Sequence, residues 1–173
     1  MKSVLLIVLL ARSIAGFSQD SSLRTVLLNQ LKTTHNKKDW FVPVNDAVAG
    51  LTAEQAMWED GSGNHSVGQL THHLLFWNQH QLDAFKGQKP ADFNGNNDET
   101  FNSFNTEKWN ETVTKLDNVL TEIEKVVQGA EEKQLISWAE TIGNIATHNA
   151  YHTGQIIFVR KLQGSWNPEK GVK

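Results

Sequence analysis

Two histidines four residues apart, His148 and His152, are the strongest candidates for chemistry in this 173-residue chain. Residues at this spacing share one face of a helix, so their imidazoles could chelate one divalent cation. The chain contains seven histidines and no cysteine. A metal site must therefore use nitrogen and oxygen ligands, and thiolate zinc sites, iron–sulfur clusters, disulfides and cysteine nucleophiles are excluded.

A third histidine is predicted to face the same interior. Successive helix residues advance by about 100°, which places His73 within the apolar arc of its helix and His72 on the solvent side. The same construction directs His148 and His152 into the middle of a core-facing stripe. A single buried histidine is usually a hydrogen-bonded core residue, but three that converge leave several ring nitrogens for one cation to satisfy. Asn149 stands where a His-Glu-x-x-His zinc protease has its general base, which argues against that chemistry.

Four helical segments must position these histidines. The apolar spacing and the capping residues predict helices over about 22–36, 66–86, 106–128 and 137–162, with Ser66 capping the second helix and Gly164 ending the fourth. Residues 88–104 are rich in Asn, Gly and Asp and are predicted to form a long crossover or lid between helices two and three. The sequence thus predicts an all-α four-helix bundle as a single domain over 19–173, with Trp77 and Trp138 walling its pocket.

The amino terminus has the pattern of a secretory signal peptide. Lys2 precedes an apolar run over residues 4–11, and small residues at Gly16 and Ser18 predict cleavage before Gln19. We therefore expect residues 1–18 to be removed and the protein to be exported, either periplasmic or secreted. The run is too short to span a bilayer, so stable membrane insertion is not expected after its removal. The net charge of −3 gives no reason to expect a nucleic-acid partner.

Four motifs, in order and with compatible spacing, carry a family resemblance. They cover residues 39–43, 50–58, 66–74 and 148–156, the last reading His-Asn-Ala-Tyr-His-Thr-Gly-Gln-Ile. Over about residues 22–166 the chain resembles the DinB-like superfamily. This resemblance implies an up-down-down-up four-helix bundle, often a homodimer, that holds a divalent metal, commonly zinc or nickel, with His73, His148 and His152.

Three neutral ligands leave an open coordination position, which is typical of a catalytic metal site. A water bound there can have its pKa lowered to about 7. The resemblance implies two chemistries for such a site, metal-assisted hydrolysis and thiol-dependent transfer. The expected function is therefore that of an exported metal-dependent enzyme acting on a small molecule, either a hydrolase or a thiol-dependent transferase, with export slightly favouring hydrolysis. Two alternatives stay open: a non-catalytic bundle that binds a metal or small ligand, and a scaffold acting through its dimer surface.

The general acid or base is not identified by the sequence. Glu140 and Gln69 are better explained as solvated or supporting residues than as catalytic ones, and Thr141 is a further neighbour of the site. His80 could be a fourth ligand, an acid or base, or an exposed rim residue. Asn149 and Tyr151 flank the ligand pair and are expected to contact neighbouring helices.

Overall fold

The fold is all-α in the part of the chain that the computed structural model describes, residues 22–102 and 104–172. The predicted signal peptide, residues 1–18, lies outside the described residues. None of the helices between residues 22 and 172 combines the length and apolar character that a membrane span requires.

Four long helices account for most of the described chain, and short helices lie between them. The long helices are α1 (Leu23–His35), α4 (Val67–Phe85), α6 (Trp109–Gly129) and α7 (Glu132–Gln163). The short α-helices are α2 (Val44–Val48), α3 (Ala53–Met57) and α5 (Glu99–Asn102). Single 3₁₀ turns occupy Thr106–Lys108 and Pro168–Lys170.

The long helices pack side by side around the core. Helix α4 contacts α6 and α7, and α1 contacts the same two helices from the other side. The buried apolar side chains form two clusters. The first, around Leu74, Leu116 and Ile156, joins α2 and α3 to α4, α6 and α7. The second, around Leu31, Ile123 and Ile142, joins α1 to α6 and the first half of α7.

Local capping fixes where the ligand-bearing helices begin and end. Ser66 and Gln69 form a reciprocal capping box that begins α4 as predicted. Helix α7 begins at Glu132 and not near residue 137, because Glu131 and Gln134 form a second capping box there. Gly164 ends α7 in the left-handed conformation, at φ +75°, as its position in the sequence predicts.

The connection between α4 and α6 is long, as expected, but it is not structureless. It contains α5, which the sequence did not predict and which packs against α4. The buried guanidinium of Arg160 donates to the backbone carbonyls of Ala47, Ala49 and Ser165. Arg160 thereby holds the α2 region against α7.

Candidate metal site

Three histidines from two helices meet between the two apolar clusters. His73 comes from α4, and His148 and His152 come from successive turns of α7. One ring nitrogen from each lies within 4.8 Å of the corresponding nitrogens of the other two. His73 and His152 are buried and His148 is half-buried. The structure thus brings together the three residues that the sequence predicted, and we refer to them as the triad.

The spacing within the triad suits a divalent cation. The Nε2 atoms of His73 and His148 are 3.1 Å apart. In a tetrahedral site with Zn–N bonds of about 2.0–2.1 Å, two ligand nitrogens lie about 3.3–3.4 Å apart. The donor set consists of neutral imidazoles, which suit zinc and nickel alike. The triad is therefore a candidate site for a divalent metal ion.

Hydrogen bonds on the outer side of the triad fix two of its tautomers. The single hydroxyl hydrogen of Thr100 is donated to the carbonyl of Asn97 at 2.6 Å. The Thr100 oxygen must therefore accept from Nδ1–H of His73, also at 2.6 Å. The side-chain carbonyl of Gln155 accepts from Nδ1–H of His152 at 2.6 Å. Both histidines consequently keep a free lone pair on Nε2.

The third ligand completes this arrangement. Because His73 presents a lone pair at Nε2, the 3.1 Å contact requires Nε2–H of His148 to donate. His148 must therefore move its proton to Nδ1 before its own Nε2 can bind a cation. Hydrogen bonds to Thr100 and Gln155 fix the tautomers of His73 and His152, whereas His148 must change its tautomer when an ion binds.

Burial keeps the triad uncharged. Desolvation, reinforced by the proximity of His152 and His148, lowers the pKa of His73 to about 3. Desolvation and His152 lower the pKa of His148 to about 4. Burial also lowers the pKa of His152, although its hydrogen bond to Gln155 opposes the change. Neutral imidazole is the form that binds metals, so the environment favours coordination at neutral pH.

The crossover connection covers the α4 side of the triad. His72, predicted to face solvent, is half-buried, and its Nδ1–H donates to the Thr100 carbonyl at 2.8 Å. The prediction was wrong because α5 folds back over that face of α4. The Phe101 ring lies between His65 and His73, at 4.0 and 3.9 Å from their centroids and within 7° of parallel. Residues distant in sequence therefore support His73 from outside.

A pocket of about 370 Å³ opens beside His148. This volume is in the range of small-molecule sites. Trp77 walls it as predicted, but Trp138 does not, because it packs on Phe85 in the second apolar cluster at 4.7 Å. The described residues that line the pocket include no carboxylate; they are Trp77, Asn78, Gln81, Thr141, Asn144, Ile145 and His148.

The structure shows what the side chains of the remaining candidates contact. Gln69 is engaged in the cap of α4, and Glu140 is exposed, which agrees with the supporting and solvated interpretations. Asn149 exchanges amide hydrogen bonds with Asn78 of α4, as expected for a contact with a neighbouring helix. Tyr151, in contrast, is 64% exposed and contacts His152 of its own helix.

His80 does not join the described ligand cluster. It lies near Phe76 and Trp77 and lines a separate cleft between α4 and α6. Among the described residues its Nδ1 has no hydrogen-bond partner. The structure therefore gives His80 no role as a fourth ligand.

The structure contains a second buried histidine site, which the sequence did not predict. His35, at the end of α1, is 1% exposed and contacts Glu124 at 2.7 Å through Nδ1 and Asp117 at 2.8 Å through Nε2. Asn45 donates to the same Asp117 oxygen. Burial alone would lower the pKa of His35, but Glu124 and Asp117 outweigh it and raise the pKa above the ordinary value. These four residues are called the His35 site below.

A comparison with protein families gives the class to which this structure belongs. The profile of the DinB superfamily matches residues 44–156, which include all three triad histidines. The chain therefore belongs to the DinB superfamily, as the sequence motifs predicted. Searches of curated proteins and of solved structures found no match.

Proposed function

We propose that this protein is an exported metal-dependent enzyme that holds a divalent ion, zinc or nickel, with His73, His148 and His152. The observation that carries the proposal is the preset triad itself: two of its ligands have tautomers fixed by Thr100 and Gln155, and the third lines a pocket of small-molecule size. The up-down-down-up helix order implied by the resemblance is part of this proposal.

The size and lining of the pocket favour a small substrate that is uncharged or that carries a metal-binding group. When bound, the ion supplies Lewis acidity at an open coordination position. Gln81, Thr141 and Asn144 offer amide and hydroxyl groups that can orient a polar substrate, while Trp77 offers an aromatic surface and excludes water. Two reaction classes would use such a site, metal-assisted hydrolysis and transfer that depends on a thiol co-substrate.

Metal content provides the primary test. Protein purified without chelator is analysed beside His148→Ala and a matched control, His80→Ala, which removes a histidine outside the triad. We expect the wild type and His80→Ala to retain metal and His148→Ala to lose it. Equal metal in wild type and His148→Ala contradicts the ligand assignment.

A specific observation favours one alternative, a non-catalytic protein that binds a metal or small ligand. The described pocket lining contains no carboxylate to act as a general base. The metal-loaded protein should be screened with esters, amides, lactones and thiol-transfer substrates, with chelator-treated protein as control. Metal-dependent turnover supports the enzyme; metal binding without turnover on any of these supports the alternative.

A homodimer is also proposed, supported by an exposed apolar strip on α7. Tyr151, Phe158 and Leu162 are each about half exposed or more, and their spacing places them within about 40° on one helix face. Exposed apolar patches of this kind mark interaction surfaces. Sedimentation of wild type and Phe158→Glu should give a dimer and a monomer; a monomeric wild type contradicts the proposal.

Export is the remaining part of the proposal and is supported by the sequence of residues 1–18. Expression of the full chain followed by mass spectrometry of the product should identify Gln19 as the first residue and locate the protein outside the cytoplasm. A product that begins at Met1 in the cytoplasm contradicts it.

A further inference from the structure

Three hydrogen-bonding groups contact Thr100, and one of them is the triad ligand His73. His73 donates to its hydroxyl, His72 donates to its carbonyl, and its backbone N–H donates to the Asn97 carbonyl at 3.1 Å. Its exposed fraction is 3%. It belongs to a four-residue helix inside a connection that is otherwise largely exposed, so this burial is local and specific.

The direction of its hydrogen bonds determines how the Thr100 hydroxyl acts on His73. Since its only hydrogen goes to Asn97, it is purely an acceptor toward His73. An acceptor at that position holds the proton of His73 on Nδ1. Without it, the proton is free to occupy Nε2, which removes the lone pair from the side that faces His148.

We propose that Thr100 is a positioning residue of the metal site, one that selects the Nδ1–H tautomer of His73 and thereby makes the α4–α6 connection part of the site. This inference rests on the proposed metal function. Gln155 performs the equivalent task for His152 from within α7, whereas Thr100 does so from a separate segment of the chain. The state of the connection therefore controls whether the α4 ligand is ready to bind.

Four proteins test this proposal: wild type, Thr100→Val, Thr100→Ser and Thr33→Val. Valine keeps the size of threonine but lacks the acceptor, and serine restores the acceptor. Thr33→Val is the matched control, because Thr33 is equally buried at 4% exposure and its hydroxyl donates within α1, to the Gln30 carbonyl. Circular dichroism and thermal unfolding establish that each variant is folded.

The first measurement uses the metal-free protein. Long-range proton–nitrogen correlation spectra report which imidazole nitrogen carries the hydrogen. We expect His73 to be Nδ1–H in wild type, Thr100→Ser and Thr33→Val, and to shift toward Nε2–H in Thr100→Val. An unchanged Nδ1–H tautomer in folded Thr100→Val overturns the proposal.

The second measurement is a zinc titration in competition with a chromophoric chelator. Loss of a group that orients a ligand typically weakens metal binding about 10–100-fold, and we expect this for Thr100→Val. Thr100→Ser and Thr33→Val should bind zinc like the wild type. Equal affinity in Thr100→Val, or failure of serine to restore the affinity, overturns the positioning role.

The two proposals can fail separately. If the wild type binds neither zinc nor nickel, the proposed function fails, while the tautomer measurement on metal-free protein still decides what Thr100 does. If the wild type binds zinc and only the Thr100 predictions fail, the metal site stands and Thr100 does not select the tautomer of His73.

Discussion

The triad and the His35 site are two buried histidine sites in one helical domain, and their surroundings impose opposite charge states. At the His35 site, Asp117 and Glu124 occupy both ring nitrogens and raise the pKa of His35. In the triad, three imidazoles face one another and burial lowers the pKa of each. Burial disfavours charge in both places, so the nearby carboxylates decide the outcome.

The comparison shows what distinguishes a site able to take up a cation from one that is already satisfied. His35 has no free ring nitrogen, because each of the two nitrogens forms a hydrogen bond with a carboxylate oxygen. His73 and His152 each have only Nδ1 engaged by an acceptor, which leaves Nε2 available. The His35 site lies between α1 and α6, and the triad lies between α4 and α7, so the two can be perturbed independently.

Zinc binding should change the free energy of unfolding by the largest amount, and it should act through the triad alone. A ligand that binds only the folded state at 100 times its dissociation constant raises the free energy of unfolding by about 2.7 kcal/mol. We expect this rise for wild type and His35→Ala in urea unfolding, and no rise for His148→Ala. Loss of the zinc effect in folded His35→Ala would show that the two sites are not independent.

Removal of the buried, protonated His35 side chain should cause the next largest change in the free energy of unfolding. His35→Ala leaves Glu124 and Asp117 without their partner, and breaking a fully buried pair costs about 3–5 kcal/mol. Because Asp117 is 47% exposed, we expect a smaller loss of about 2 kcal/mol in metal-free urea unfolding. His65→Ala is the control, because His65 is half-buried and forms no salt bridge with a carboxylate of the described residues. An equal loss there would contradict the role of the ion pair.

The His35 site should make the free energy of unfolding depend on pH, with a sign that follows from its raised pKa. The folded state holds the His35 proton more tightly than the unfolded state, whose pKa is about 6.5. Its stabilising contribution is therefore complete below about pH 6.5 and is lost as the pH rises through the raised folded pKa.

The free energy of unfolding of metal-free protein should accordingly fall above about pH 6.5, by at most about 1.4 kcal/mol per pH unit from this group. Urea titrations of wild type and His35→Gln at several pH values measure the slope. The variant should have a flatter profile over this range. Identical profiles would mean that the carboxylates do not hold the proton on His35.

The smallest expected change in the free energy of unfolding comes from the stack of rings in which Phe101 lies between His65 and His73. Phe101→Leu removes the ring between His65 and His73 but keeps an apolar side chain, so we expect a loss of about 1 kcal/mol. Phe93→Leu, at a 38% exposed ring of the same connection, is the control for urea unfolding. An effect of Phe101→Leu on the pH slope assigned to His35 would contradict the separation of the sites.

The sequence predicted those features that depend on a single helix. The four-residue spacing of His148 and His152 and the angular position of His73 follow from helix geometry alone, and the structure brings these residues together. Caps at Ser66 and Gly164 were predicted for the same reason. Glu131 and Gln134 form the same kind of cap, so the start of α7 could have been found by the same rule.

Features that depend on contacts between distant segments were not accessible to that reasoning. His72 faces away from the helix core, as its angle indicates, but the connection covers it and Thr100 accepts its proton. His35 lies at the end of α1, and its position in the sequence predicts no buried ion pair. A partial indication existed, since Asp117 and Glu124 are seven residues apart and share a face of α6. Nothing in the pattern of α1 shows that this face lies opposite His35.

The length of α7 bears on how long the ligand pair survives local opening of the fold. This helix runs unbroken for 32 residues, and His148 and His152 lie about four turns from its first residue and about three from its last. Fraying begins at helix ends and rarely extends so far inward. The backbone amides around the pair should therefore be among the slowest to exchange with deuterium, even without metal. The two ligands that α7 supplies should therefore keep their mutual spacing even when the ends of the fold open locally.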